Sequence, residues 1–318
     1  MIKAAVMLQL LFITNVPALT DGYILTGAYG ANQTVLFDKD GNSVKQWNHS
    51  SANGYSSYLL PDGKLLRSAQ TSMMDRAPQN ANPRQGMIEI IDSTGKVSWS
   101  YKLCNDTFML HHDMKPMPNG NILAVTFYTI SKTKAISLGV EPSLFTAGAA
   151  TLLGEKIIEI KPKLPSGGEI VWEWSIFDHI VKKEDAAAHP ELISGAIVPS
   201  TWQGQWVHLN GIDYSAAKDQ IVFSSRIFSE LFVIDHGTTT QEAASHSGGK
   251  RGKGGDILYR WGKPGNYGAS GGITIDCLHS TTWIPEGYEG AGNIMFFHNN
   301  MAAIKSQVIE IKPPVDEN

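Results

Sequence analysis

Apolar residues in this chain fall in short alternating runs cut by polar turns, a period near two that predicts strands rather than helices. Val35-Leu36-Phe37-Asp38 leads through Lys39-Asp40-Gly41 into Val44-Lys45-Gln46-Trp47. The same order returns at Ile88 to Asp92 with Val97-Ser98-Trp99, at Ile157 to Ile160 with Ile170 to Trp174, and at Leu231 to Asp235 with Ile257 to Trp261. Each copy reads as strand, tight turn and a second strand ending in Trp, which is a β-hairpin. A second half-unit follows each hairpin: Tyr58 to Leu66 around Pro61-Asp62-Gly63, Met117 to Leu123 around Pro118-Asn119-Gly120, Ile212 to Phe223, and Trp283 to Met295. Four strands per unit is the blade of a β-propeller, so the expected fold is all-β.

The matching positions Asp38, Asp92, Lys161, Asp235 and Lys312 drift apart along the chain. Insertions at Ser131 to Leu153 and Lys182 to Gln205 carry few strand signals, and such inserts usually roof one face of a propeller. The last copy, Val308 to Lys312, has no hairpin partner after it. The count is therefore four blades and the first strand of a fifth, a propeller domain over residues 19–318 that reads as C-terminally incomplete. Closure then involves either further chain or an unusual use of the strand near Gly22 to Gly27.

The N-terminus changes the picture of the compartment. Lys3 precedes the apolar run Ala4 to Val16, and Val16-Pro17-Ala18 resembles a signal-peptidase site. Residues 1–18 are expected to be a cleaved signal and the mature protein periplasmic or secreted. No other stretch has the length of an apolar membrane span. Cys104 and Cys277, two cysteines in all, are too few for a disulfide scaffold but are candidates to pair with each other after export. A formal net charge of -4 argues against nucleic acid as the partner.

Histidine recurs where the second half-unit begins, on the strand expected to line the central channel. His112 and His279 stand at the same distance before Pro118 and Pro285. His208-Leu209-Asn210 precedes the third copy, and Ser224-Ser225-Arg226 closes its strand; the first copy carries Ser56-Ser57-Tyr58 instead. The proline spacing favours His112 over its neighbour His111. His49, His179, His189, His236 and His246 lack this register and are read as structural or exposed. Converging imidazoles suit a transition metal, but an arginine aimed at the same point repels a cation. Transfer of an anionic group such as sulfuryl fits better, with one neutral imidazole as nucleophile and His, Asn and Arg donors on the transferred oxygens.

These residues resemble the bacterial arylsulfate sulfotransferases of the six-bladed propeller type, over roughly Gly22 to Asn300. The most specific piece is Trp206-Val207-His208-Leu209-Asn210, followed by Ser224-Ser225-Arg226 and Leu231 to Asp235. Leu278-His279 followed by Gly292 to Phe297 is similar to the segment bearing that family's histidine nucleophile, and His111-His112-Asp113 to its earlier active-site histidine. The resemblance implies a transient sulfohistidine at His279, with a phenolic sulfate ester as donor and a phenol as acceptor. It assigns His112, His208, Asn210 and Arg226 to the sulfuryl oxygens or to proton handling. It implies no nucleotide sulfate donor and no cofactor, and no P-loop is present. Two departures stand out: Leu278 where a glutamine is expected, and His298-Asn299-Asn300 in place of an Asp-Asn-Gly-like turn. The competing readings are a non-catalytic ligand- or protein-binding propeller and a histidine-ligated metalloenzyme.

Overall fold

The computed structural model describes residues 22–72, 81, 83–145, 148–197, 205–270, 275–299 and 305–314. The expected signal segment, residues 1–18, lies outside the described residues. The chain forms five small antiparallel sheets arranged in a ring, a β-propeller. The first sheet holds β1 (Tyr23–Thr26), β2 (Gln33–Asp38) and β3 (Ser43–Asn48). The second holds β4 (Asn53–Leu59), β5 (Leu65–Ala69), β6 (Met87–Ile91) and β7 (Val97–Lys102). The third holds β8 (Cys104–Asn105), β9 (Phe108–Pro116), β10 (Ile122–Ser131), β11 (Thr151–Pro162) and β12 (Gly168–Ser175). A short parallel pair, β13 (Ile180–Val181) and β14 (Ile193–Ser194), comes next. The fourth sheet is β15 (Leu209–Ser215), β16 (Gln220–Ser225), β17 (Glu230–Asp235) and β18 (Ile257–Gly262). The fifth is β19 (Leu278–Trp283), β20 (Ile294–His298) and β21 (Gln307–Ile311).

Every hairpin expected from the alternation is present, but the blades are phased differently. Each Trp-bearing hairpin is the outer half of a sheet whose inner half precedes it, so β4 and β5 pair with β6 and β7 rather than with β2 and β3. Gln307–Ile311 is accordingly the third strand of the fifth sheet, not the first strand of a new blade. The strand near Gly22 pairs with β2 inside the first sheet. The two insertions also differ from expectation. Strands β10 and β11 run on into the first, leaving a short helix, α1 (Lys132–Ser137). Ala135, Val140, Phe145, Ile193 and Ile197 from the two inserts join the core between the third and fourth sheets, and none of the five roofs the central cavity.

Alternation along the strands sorts side chains to the two faces of each sheet. On β10, Leu123 and Val125 enter the core shared with the fourth sheet, while Ile122 and Ala124 enter the core shared with the second. On β16, Ile221 and Phe223 face the third sheet, and Val222 faces the fifth with Leu278, Trp283 and Phe296. The outer-strand tryptophans tie neighbouring sheets together. Trp47 donates its indole N–H to the Asp92 carbonyl (3.2 Å), Trp99 to the Gly167 carbonyl (2.8 Å) and Trp172 to the Thr238 hydroxyl (3.0 Å). Each acceptor lies at or beside the outer hairpin turn of the next sheet, which gives the repeated Trp a physical reason: it buries a large ring and satisfies its one donor.

Candidate functional site

The inner strands β4, β9, β15 and β19 pack against one another in succession and enclose a cavity of about 740 Å³. All five residues singled out by the repeat register line it: His112, His208, Asn210, Arg226 and His279. His111 does not. Its ring is buried behind His112, stacked on Phe127 with centroids 3.6 Å apart. The proline-spacing argument for His112 thus agrees with the geometry.

Each inner strand breaks its pairing register beside the cavity-lining residues. The shifts fall at Asn53/Ser57 on β4, Ala124/Thr126 opposite β9, Leu209/Gly211 on β15 and His279/Thr282 on β19. A β-bulge inserts an unpaired residue and re-aims side chains, and here the bulges carry the site. His112 (φ 47°), His208 (φ 58°), Cys277 (φ 53°) and Ser280 (φ 51°) adopt left-handed backbone conformations that non-glycine residues seldom take. Strain of this kind persists where surrounding structure fixes it. Gly211 follows Asn210 for a related reason: a Cβ there would sit 2.7 Å from the Thr281 nitrogen, so β15 and β19 approach this closely only at glycine.

Hydrogen bonds fix which ring nitrogens are reactive. His279 Nδ1 lies 3.0 Å from the Cys277 carbonyl oxygen, so Nδ1 carries the proton and Nε2 keeps its lone pair. The Asn299 Nδ2 lies 3.2 Å from the same Nδ1; a protonated Nδ1 requires the amide turned over, so that its oxygen accepts there. His112 and His208 face each other Nε2 to Nε2 at 3.1 Å, and His112 Nδ1 faces His111 Nδ1 at 2.8 Å. His208 Nδ1 pairs with the Gln205 side-chain oxygen. Asn210 donates one amide hydrogen to the Leu278 carbonyl and accepts from the Ser224 hydroxyl (2.8 Å), which leaves its second N–H for the cavity.

Burial and like charge keep these imidazoles neutral. Burial first, then Arg226 and His279, pushes His208 down to about 3. His112 is pushed well below the ordinary value by burial, then by His208, His111, His279 and Arg226. Burial and Arg226 likewise lower His279, against the Cys277 carbonyl, which raises it. The result is a set of neutral nitrogens beside a guanidinium, suited to an anion and to nucleophilic attack.

Other residues carry the site without a sequence signal. Asp113 accepts from the Tyr58 hydroxyl (2.9 Å) and the Ile212 N–H (3.2 Å), joining β4, β9 and β15. Asp213 accepts from Lys115 (2.7 Å) and from the Trp283 N–H (2.8 Å), joining β9, β15 and β19. Tyr55 stands at the mouth, its ring 5.7 Å from His112 and 4.5 Å from Tyr29. Both departures noted in the sequence are absorbed by packing and support. Leu278 is buried in the core between the fourth and fifth sheets, and His298 Nε2 accepts the Asp276 N–H at 2.9 Å, pinning the segment that leads to His279. Cys104 and Cys277 form no disulfide with each other. Among the described residues, the three groups that converge closely enough to hold a metal ion are His179, His246 and Asp256, and none of them lines the cavity.

A family model, arylsulfotransferase (ASST), matches residues 9–310. No curated protein matches the chain. Among solved structures it is similar to the hydrazine synthase of Kuenenia stuttgartiensis, at 13% identity and a TM-score of 0.46 over 91% of this chain and 68% of that one. It is similar to a protein of unknown function from Bacteroides caccae, at 11% identity and a TM-score of 0.44 over 90% and 72% of the two chains. It is also similar to the Dos1 propeller, at 11% identity and a TM-score of 0.41 over 92% and 66%. These three likenesses are too distant to say anything of function.

Proposed function

The chain belongs to the arylsulfotransferase family, and on that premise we propose that it moves a sulfuryl group from an aryl sulfate ester to a phenol through a transient sulfohistidine at His279. Sulfuryl transfer, and hence a transferase, follows from the family; the covalent step and the independence from a nucleotide sulfate donor are the proposal. The observation that carries it is the His279 ring, its Nδ1 held 3.0 Å from the Cys277 carbonyl oxygen, lining one cavity with His112, His208, Asn210 and Arg226.

In the first half-reaction the His279 Nε2 lone pair attacks sulfur, and the bond from sulfur to the phenolic oxygen breaks. Charge grows on the sulfuryl oxygens and on the leaving oxygen. The Arg226 guanidinium and the second Asn210 N–H are the donors for the former. The N–H between His112 and His208 serves the latter. In the second half-reaction a phenol gives up its proton, its oxygen attacks sulfur, and the electron pair of the S–N bond returns to Nε2.

Incubation with p-nitrophenyl sulfate and no nucleotide should leave one sulfuryl group per chain by intact mass, and added phenol should remove it with release of phenyl sulfate. His279→Asn should lose both signals. A His279→Asn protein that still turns over at the native rate sinks the reading. We also propose export to the periplasm or medium, which rests on Lys3, the run Ala4 to Val16 and the small residues at Val16 and Ala18. N-terminal sequencing of the secreted protein tests it, with a start after Ala18 expected.

A further inference from the structure

The chemistry above demands a proton that the cavity histidines do not hold. A phenolate leaving from phenyl sulfate is strongly basic, since its conjugate acid titrates near about 10 like tyrosine. An imidazolium would supply the proton, but burial above all, and then the neighbouring imidazoles and Arg226, hold His111, His112 and His208 well on the neutral side. Neutral imidazoles conduct a proton; they do not store one.

A store lies behind them. Glu155, on β11 opposite Phe127 of β10, is 1% exposed. Its Oε2 accepts the Leu209 N–H at 2.5 Å, and its Oε1 lies 3.9 Å from His111 Nε2. Burial pushes its carboxyl up to about 8, against the Leu209 and His208 N–H groups, which lower it. The groups facing it are His111 from β9, those two backbone N–H groups at the start of β15, and Tyr128 from β10, and none of them is a standing cation. The carboxylic acid therefore has a hydrogen to give. His111 Nε2, buried and without a hydrogen-bond partner, is the nitrogen placed to receive it. The gap exceeds a hydrogen bond, so the transfer requires the carboxyl to swing about the glutamate's terminal torsion, which is soft.

We propose that Glu155, acting through His111 and His112, stores the proton that the leaving phenolate takes and that the acceptor phenol later gives back. This rests on the sulfuryl-transfer reading of the cavity. Three hydrogen bonds and one short gap set one direction for the protons. Glu155 O–H lies across the 3.9 Å gap from His111 Nε2; with that nitrogen as acceptor, His111 Nδ1–H donates to His112 Nδ1, His112 Nε2–H to His208 Nε2, and His208 Nδ1–H to the Gln205 oxygen. When the phenolate takes the His112 Nε2 proton, His112 Nδ1 takes the His111 proton and His111 Nε2 takes the Glu155 proton. All three imidazoles end neutral, and the single negative charge passes from phenolate to the Glu155 carboxylate. The acceptor phenol then gives its proton to the bare His112 Nε2, every transfer reverses, and Glu155 is an acid again.

The test compares two donors in rapid-quench measurements of sulfohistidine formation. p-Nitrophenolate is a good leaving anion that needs little help, whereas phenolate needs a proton. Glu155→Gln keeps the shape and an oxygen for the Leu209 N–H. His111→Phe keeps the stack on Phe127 but cuts the chain. In both variants the rate with phenyl sulfate relative to p-nitrophenyl sulfate should fall roughly 10²-fold, the size of a general-acid effect. An equal loss with both donors, or none, overturns the proposal and leaves Glu155 a packing residue. If the native protein forms no sulfohistidine with either donor, the covalent reading of the cavity itself falls, and this proposal with it.

Discussion

The cavity histidines and His236 share one side chain, and their surroundings shift them in opposite directions. Around the cavity, His112, His208 and His279 sit among one another and Arg226, and all are pushed toward the neutral form. At the outer edge of the third and fourth sheets, His236 is also largely buried, yet its pKa is raised. Burial alone would lower it, but hydrogen bonds to Glu159 (2.9 Å) and Asp219 (2.9 Å) outweigh that. Both ring nitrogens of His236 face carboxylates, which favours the cationic ring with a hydrogen on each. The difference lies in the partners, not in depth. An imidazole between carboxylates is a cross-link; one among imidazoles and a guanidinium is a nucleophile or a proton conductor.

The largest expected effect comes from removing the charge that distinguishes the cavity. Arg226→Met deletes a donor for the sulfuryl oxygens, and the transfer rate should fall by about 10²–10³-fold. It also deletes a cation that lowers His279 and His208, so both should titrate closer to the ordinary imidazole value of about 6.5. A nucleophile with a higher pKa is protonated at higher pH. The acid limb of the rate profile should therefore move upward from its native position. Steady-state rates with p-nitrophenyl sulfate between pH 4 and 8 check both points, and an unmoved limb would separate Arg226 from the histidines. His236→Gln, which touches only the cross-link, should leave the transfer rate per folded molecule at the native level.

The hairpins were legible because alternation and turn chemistry are local. Asp38 and Asp92 each accept backbone N–H groups two and four residues on, and Gly41 and Gly95 take the left-handed turn position in the same motif. The grouping of hairpins into blades differs from expectation because the first two links from Trp strand to inner strand, Asn48 to Asn53 and Lys102 to Phe108, are short. Adjacency along the chain looked like pairing, whereas Trp99 and Leu110 lie in neighbouring sheets and meet across their shared core. The histidine register survived that error because it depends on repeat position, not on where a blade is taken to begin. The bulges left no trace, since each inserts residues into a strand without changing its composition. Glu155 was hidden for another reason: it falls just after the segment read as an insertion, where β11 in fact begins four residues earlier.

The smallest expected effect tests the other side of the comparison, and its sign is fixed by the shifts. His236 is raised above its unfolded value, so its contribution is complete below about pH 6.5 and is lost as pH rises through the folded pKa. Glu159 and Asp219 are lowered despite burial, by hydrogen bonds that include those from His236, so their share is lost only as pH falls through their depressed values. The cross-link is strongest in the window between. His236→Gln should cost roughly 1.5–3 kcal/mol near pH 6, the range for hydrogen bonds to charged groups, and progressively less at higher pH. Urea denaturation of both proteins at pH 6, 7, 8 and 9 reads the difference directly. A gap that stays constant or widens with pH would mean that His236 is neutral in the native protein and that the two groups of histidines do not differ in charge after all.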